Sequence, residues 1–303
     1  MCGIVGLFSK TPELERRLGD LLSRMLIELS ERGPDSAGFA VYREPAPRGS
    51  AKVTLYHPAP DYPWQSLRAE LSSTFDGPVT LGVHASHGVF VITVDADVAQ
   101  SWLRAHHPEC RIMSAGSAIE IFKEAGLPPE VVERFGLREM HATHALGHTR
   151  MATESAVTTE HSHPFSTGLD LCLVHNGSLS NHNRLRQFLR RQGMTFQTDN
   201  DTEVAAGYLT WRLREGATLE EALQAAVKDL DGFYTFAIGT RDGFAVLRDP
   251  IACKPAVLAE TDTWVAMASE FRAIARLPGA ENARIWEPAP AKIYSWKRTE
   301  LVT

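Results

Sequence analysis

The sequence predicts a layered α+β fold, and three observations carry that expectation. Strand-like apolar runs and helix-like periodic runs come in clusters instead of alternating one for one, which disfavours a regular parallel βαβ sheet. The 303 residues are 44% hydrophobic and 22% charged, ordinary for a globular chain with enough material for one large domain or two small ones. No internal repeat or low-complexity segment breaks the pattern.

Residues 2–8 form a short apolar run, the pattern of a buried strand. From 13 to 31, Leu14, Leu18, Leu21, Leu22, Met25, Leu26 and Leu29 recur at three- and four-residue spacing. That predicts an amphipathic helix, stopped by Gly33-Pro34. Residues 39–42 read as a second strand. Pro45, Pro47, Gly49, Pro58, Pro60 and Pro63 then mark a loop or boundary. Beyond it 79–82 and 89–94 read as strands, and 97–106 and 117–124 as helices. Residues 44–140 are therefore expected to form a small inserted α+β subdomain. Further on, 171–174 predicts a strand, 185–193 a helix closed by glycine, and 201–214 and 219–230 two more helices. The segments 233–238, 244–248 and 264–268 close the chain as strands.

Composition excludes several function classes. Lys plus Arg is 31 and Asp plus Glu is 37, so the formal charge is −6, against a nucleic-acid partner. The most apolar stretch, 79–94, holds His84, Ser86 and His87 and is too short for a bilayer. Cys2, Cys110, Cys172 and Cys253 lie far apart with no CxxC pair, so no disulfide framework or structural zinc is expected and the cytoplasm is the default compartment. The first ten residues have no basic region ahead of the apolar run, unlike a signal peptide.

Four segments offer chemistry. Methionine before a small residue is commonly removed, which would leave Cys2 with a thiol and an α-amine in one residue. Such an amine titrates near about 7.7–8.0 and can serve as the base. A cysteine in an apolar strand also serves as a small buried hydrophobe. In Gly147-His148-Thr149-Arg150-Met151-Ala152-Thr153, a guanidinium stands among hydroxyls, suited to clamping a carboxylate or to a plain surface salt bridge. Asn176-Gly177 follows a strand, as an oxyanion hole or an ordinary Asn-Gly turn would. Thr198-Asp199-Asn200-Asp201-Thr202-Glu203 opens a helix, either as an N-cap or as a carboxylate for an ammonium group. Taken together they describe a nucleophile with its own base, an oxyanion hole and two clamps for an α-amino acid carrying a distal carbonyl. Glutamine fits that description.

With these residues the chain resembles the class II glutamine amidotransferases, which are N-terminal nucleophile hydrolases. The matching motifs are Met-Cys-Gly-Ile-Val-Gly at 1–6, Arg-Gly-Pro-Asp-Ser-Ala-Gly at 32–38 and Gly-His-Thr-Arg-Met-Ala-Thr at 147–153. Ser-His-Pro-Phe follows at 162–165, His-Asn-Gly at 175–177 and Asp-Thr-Glu at 201–203. Weaker signatures lie at 248–250, 254–255 and 268–270. The match covers roughly 1–43 and 144–277. The resemblance implies a four-layer αββα sandwich, with the insertion at about 44–140 added to one domain over 1–303. It implies that Cys2 attacks the glutamine γ-carboxamide to form a thioester, with Asn176 and Gly177 holding the oxyanion. Arg150 would bind the α-carboxylate, Asp201 the α-amine, and Thr153 would assist beside the carboxylate. Met151 and Glu154 depart from the family, where some members carry an aromatic and a histidine.

The resemblance ends near residue 276, and the remaining 27 residues are too few for a synthase domain. The organisation is similar to the separate amidotransferase subunit of glutamate-synthase-like complexes, such as N-methylglutamate synthase. Flavin and iron–sulfur groups would then sit on partner subunits. No cofactor or metal is expected in this chain, which has neither a cysteine cluster nor a GxGxxG fingerprint. The alternative is a free-standing γ-glutamyl amide hydrolase. Two further readings are a metallohydrolase, with His141, His144 and His148 on one helical face, and an inactive regulatory subunit, which the intact motifs oppose.

Overall fold

The computed structural model describes residues 2–152 and 156–298. The strands of its first half are β1 (Gly3–Ser9), β2 (Ser36–Tyr42), β3 (Ala51–Tyr56), β4 (Val79–His84), β5 (His87–Ile92), β6 (Arg111–Gly116), β7 (Ile119–Ala125) and β8 (His144–Arg150). Those of the second half are β9 (Phe165–Gly168), β10 (Leu171–Leu179), β11 (Gly232–Thr240), β12 (Gly243–Arg248), β13 (Val257–Glu260), β14 (Trp264–Ala268), β15 (Arg284–Trp286) and β16 (Ile293–Lys297). The α-helices are α1 (Pro12–Glu15), α2 (Leu18–Glu28), α3 (Trp64–Thr74), α4 (Ala96–His106), α5 (Pro128–Phe135), α6 (His182–Arg191), α7 (Asp201–Arg214), α8 (Leu219–Asp229) and α9 (Phe271–Ile274).

Two antiparallel sheets face each other. One has seven strands in the order β15-β13-β14-β1-β8-β2-β7, the other five in the order β16-β12-β11-β10-β9. Ile4, Tyr42, Leu146, Val174, Phe244 and Met267 fill the space between them. The outer face of the larger sheet is covered by α2, α5 and α9 through Leu22, Met25, Phe135 and Ile274. That of the smaller sheet is covered by α6, α7 and α8 through Leu189, Val204, Leu209 and Leu223. The result is the four-layer αββα sandwich. Strands such as β1, buried along their whole length, read as continuous apolar runs because both faces are covered.

A third sheet, β4-β5-β3-β6, forms its own core with α3 and α4 around Val53, Trp64, Leu71, Phe90 and Leu103. It is built from residues 51–116. The stretch 119–140, which lies inside the expected 44–140 insertion, joins the main body instead. There β7 pairs with β2 from Ser36↔Ala125 to Tyr42↔Ile119, and α5 packs on the large sheet.

The helix expected over 117–124 is strand β7. Its turn is fixed from a distance: the Asp170 carboxylate accepts the backbone N–H groups of Ser117, Ala118 and Ile119 at 2.7, 2.8 and 3.1 Å. Ile119 and Ile121 then face the inter-sheet core, while Phe122 points to the helix layer and Glu120 is buried against Lys52 at 2.9 Å. The helix expected over 13–31 is also interrupted. Gly19 donates its N–H to the Met140 carbonyl at 3.1 Å, and a Cβ there would lie 2.1 Å from the Leu137 oxygen, so the chain restarts as α2 against that segment.

Candidate active site

Strand β1 runs between β14 and β8, and Gly3 pairs with Thr149, so Cys2 lies beside Arg150 at the end of the large sheet. Two side chains hold the Cys2 carbonyl: Arg32 Nε donates at 3.0 Å and Asn176 Nδ2 at 3.2 Å. The Cys2 thiol is half-buried, with its Sγ 3.8 Å from the Met151 carbonyl. Arg32 is anchored through NH1 to Glu270 Oε1 at 2.5 Å, and this hydrogen bond lowers the Glu270 carboxyl pKa. Ser269, one residue earlier, closes a reciprocal bridge with Ile4, donating its N–H to the Ile4 carbonyl and accepting the Ile4 N–H on its hydroxyl, both at 2.9 Å. The start of β1 is therefore fixed by contacts from 3₁₀ residue Arg32, from β10 and from the turn after β14.

Arg150 ends β8 and donates to the Ala156 carbonyl at 2.9 Å. Asp35 fastens the same corner, giving its N–H to the Arg150 carbonyl at 3.1 Å and accepting that of Ala152 at 2.7 Å. Gly33 is required here, because a Cβ would lie 2.3 Å from the Thr149 carbonyl carbon. Gly177 is required for a similar reason. Its φ is +144°, and a Cβ would lie 1.9 Å from the Phe233 oxygen.

Behind Asn176 lies a buried polar array. His148 Nε2 donates to the His175 carbonyl at 3.0 Å, and the Thr202 hydroxyl bridges His163 Nε2 at 2.7 Å and His175 Nδ1 at 3.0 Å. The His148 and His163 rings stack at 4.1 Å. Burial pushes the His148 pKa down to about 3 and that of His163 well down, so both rings are neutral. Asp201, on the first turn of α7, accepts the Leu179 N–H at 2.9 Å and stands 3.7 Å from His175 Nδ1. Burial opposes its ionisation, but the His175 ring and the Leu179 N–H outweigh it and hold the carboxyl at about 2. Asp201 is thus an anion at neutral pH, with oxygen lone pairs to offer a cation.

The structure places Cys2 just before β1, Arg150 at the end of β8, Asn176 and Gly177 within β10 and Asp201 at the start of α7. Thr153 and the departure at Glu154 lie outside the described residues. Met151 is exposed and offers its carbonyl to the thiol. His144 and His148 sit on strand β8 and not on a helix, and each ring has its own carbonyl partner, Thr240 and His175. Among the described residues no group of three or more His, Cys, Asp or Glu is arranged to hold a metal ion. No helix among them is long and apolar enough to cross a membrane.

A family model described as a glutamine amidotransferase domain matches residues 148–276. The glutamine amidotransferase-like protein GlxB of Rhizobium meliloti is 56% identical over 298 residues, 98% of each chain. A relative from Methanothermobacter thermautotrophicus is 30% identical over 97% of this chain and 99% of its own. The chain belongs to the class II glutamine amidotransferase family. The fold agrees: a glutamine phosphoribosylpyrophosphate amidotransferase from B. subtilis superposes with a TM-score of 0.61 at 21% identity, covering 98% of this chain and 49% of that one.

Several residues of the amidotransferase site were not singled out from the sequence. Arg32, Glu270, His163, His175 and Thr202 lie inside the motifs, but their partners are distant in the chain and no local spacing reveals them. Lys123 lies outside every motif. Its buried ammonium donates to the carbonyls of Glu160, Ser162 and Pro164 at 3.4, 2.7 and 3.2 Å, pinning the loop that carries His163. Burial pushes its pKa down to about 7. A lysine directly after the apolar run Ile121-Phe122, on the same strand face as Ile119 and Ile121, was the available signal.

Proposed function

We propose that this amidotransferase hydrolyses the γ-amide of glutamine through a Cys2 thioester and hands the ammonia to a partner synthase subunit of a glutamate-synthase-like complex. N-methylglutamate synthase is the nearest type. The observation that carries the chemistry is the double grip on the Cys2 carbonyl by Arg32 and Asn176. It fixes the nucleophile within reach of an amide whose second N–H is left for an oxyanion.

In this reading removal of Met1 frees the Cys2 α-amine, which takes the thiol proton as Sγ attacks the γ-carbonyl carbon. The Asn176 side chain and the Gly177 N–H receive the negative oxygen. The tetrahedral adduct expels ammonia, the amine returning its proton to the leaving nitrogen. Water then attacks the thioester, regenerating the thiol and releasing glutamate. Arg150 supplies a guanidinium for the α-carboxylate and Asp201 a permanent anion for the α-ammonium, so only an α-amino acid end is accepted.

The complex reading is supported by the length of the family match. GlxB is covered over 98% of its own length by this chain, so the likeness to that relative runs along nearly all of it. Flavin and iron–sulfur groups would belong to the partner. Tagged purification from the native host, followed by mass spectrometry and a visible spectrum, tests it. A large co-purifying subunit with flavin absorption is expected, together with glutaminase activity that rises in the complex and vanishes in Cys2→Ala. A lone colourless protein that hydrolyses γ-glutamyl amides would overturn the complex in favour of a free-standing hydrolase.

A further inference from the structure

A cleft of about 470 Å³ lies where three parts of the molecule meet: helix α4 and strand β6 of the four-stranded sheet, the edge strand β9, and α7 with the segment before it. None of Cys2, Arg150, Asn176 or Asp201 lines it. Its volume falls within the usual range for small-molecule sites.

Arg104, Arg111, Arg214 and Lys123 line it beside Asp97, Glu160 and Glu203, and because Lys123 spends its ammonium on backbone carbonyls, the cations that face the cleft are the three arginines. Arg104 makes its side-chain hydrogen bond to Gln100 Oε1 at 2.9 Å, and Arg214 to the weak acceptor Met194 Sδ at 3.3 Å. Among the described residues neither has a carboxylate within ion-pair distance, whereas Arg111 has only Glu160, at 3.6 Å. A guanidinium carries five N–H donors, so most of those in the cleft are open to a ligand. The acid deepest in the chain here, Glu203, is already consumed. Its oxygens accept the N–H groups of Gln197 and Thr198 and the Thr198 hydroxyl, each at 2.8 Å. Asp97 stands exposed on α4.

The walls lead to the active site. Gln197 and Thr198 belong to the segment that enters α7 at Asp201, and Glu160 belongs to the loop that Lys123 ties down ahead of His163. An occupant of the cleft therefore touches both segments that deliver Asp201 and the histidine array.

We propose that this cleft is an effector site for a small polyanion bearing carboxylate or phosphate groups, and that its occupancy changes glutamine affinity. The second half rests on the glutaminase reading; the binding itself does not.

The test uses calorimetric titration of the full chain, as Cys2→Ala, with citrate and with pyrophosphate in a buffer free of other polyanions. Saturable one-site binding of at least one probe is expected, and which probe binds distinguishes a carboxylate site from a phosphate site. The double variant Arg104→Ala/Arg214→Ala should weaken it at least about tenfold, and the lysine double variant less, as expected when charged donors are removed or replaced. In the active chain the binding probe should shift the glutamine KM and leave the double variant unmoved. Failure of both probes to saturate by about 10 mM, or equal binding by parent and alanine double variant, overturns the site. Binding without a KM shift overturns its effector role. Absence of any glutamine turnover with binding intact strikes only the glutaminase reading.

Discussion

Replacing Thr202 with valine removes one hydroxyl at nearly constant volume, and the structure makes the consequence calculable. That hydroxyl bridges His163 Nε2 and His175 Nδ1, and both rings are buried. Without it two ring nitrogens lose their partner, each at a cost of about 1–3 kcal/mol, offset in part by about 0.8 kcal/mol for the added buried methyl. The net loss expected is about 1–5 kcal/mol, a large share of the margin of an ordinary domain. Urea unfolding followed by tryptophan fluorescence reads it, since Trp264 is fully buried. Thr202→Ser keeps the bridge, loses only a methyl, and should cost about 1 kcal/mol. Because His175 immediately precedes Asn176, the valine variant should also lower glutaminase kcat about tenfold or more, as a misplaced oxyanion donor does. A valine variant within about 0.5 kcal/mol of the parent, or a serine variant as damaged as valine, would refute the reasoning.

Three other outcomes follow from the site. Asn176→Ala should lower glutaminase kcat by about 10²–10³-fold, the usual cost of one oxyanion donor; an unchanged kcat rules out that role. Arg150→Ala should raise the glutamine KM more than it lowers kcat, since the clamp acts on ground and transition states alike; steady-state kinetics with glutamine decide it. Thermal stability should fall as pH drops below about 6.5. Burial holds His87, His144 and His148 at about 3, so between pH 6.5 and 3 the unfolded chain binds more protons than the folded one. Each such histidine contributes stability that is present above its unfolded pKa and lost at about 1.4 kcal/mol per pH unit below it. A Tm that stays flat from pH 7 to 4.5 contradicts their neutral burial.

The parts of the fold legible in the sequence were those specified locally. Strand β1 and the helices α6, α7 and α8 announce themselves by apolar runs, periodicity and end signals that need no distant partner. What escaped was decided across the chain. Residues 117–124 carry a mixed pattern readable as a helix, and the Asp170 carboxylate some fifty residues later makes them a hairpin strand. The break before α2 depends on a carbonyl of Met140. At the site, Cys2, Arg150, Asn176, Gly177 and Asp201 were visible because each sits in a short motif, and the structure gathers them at one end of the sandwich. Lys123 and the Thr202 bridge were not, because a buried cation on three carbonyls and a shared hydroxyl leave no periodic trace.

The position of β1 carries a consequence for how the enzyme comes into being. It is the first strand to be synthesised, yet its neighbours are β8, about 140 residues downstream, and β14, about 260. The Cys2 carbonyl additionally waits for Asn176, and Arg32 for Glu270. During translation the nucleophile therefore emerges early and spends nearly the whole synthesis without a site around it. Contacts of such long sequence separation form late and slowly. The Cys2 carbonyl gains its Asn176 contact only after the midpoint of the chain is made, and its anchored arginine only when the last third of the polypeptide has left the ribosome, so a nascent or truncated chain displays the cysteine without the contacts that fix it.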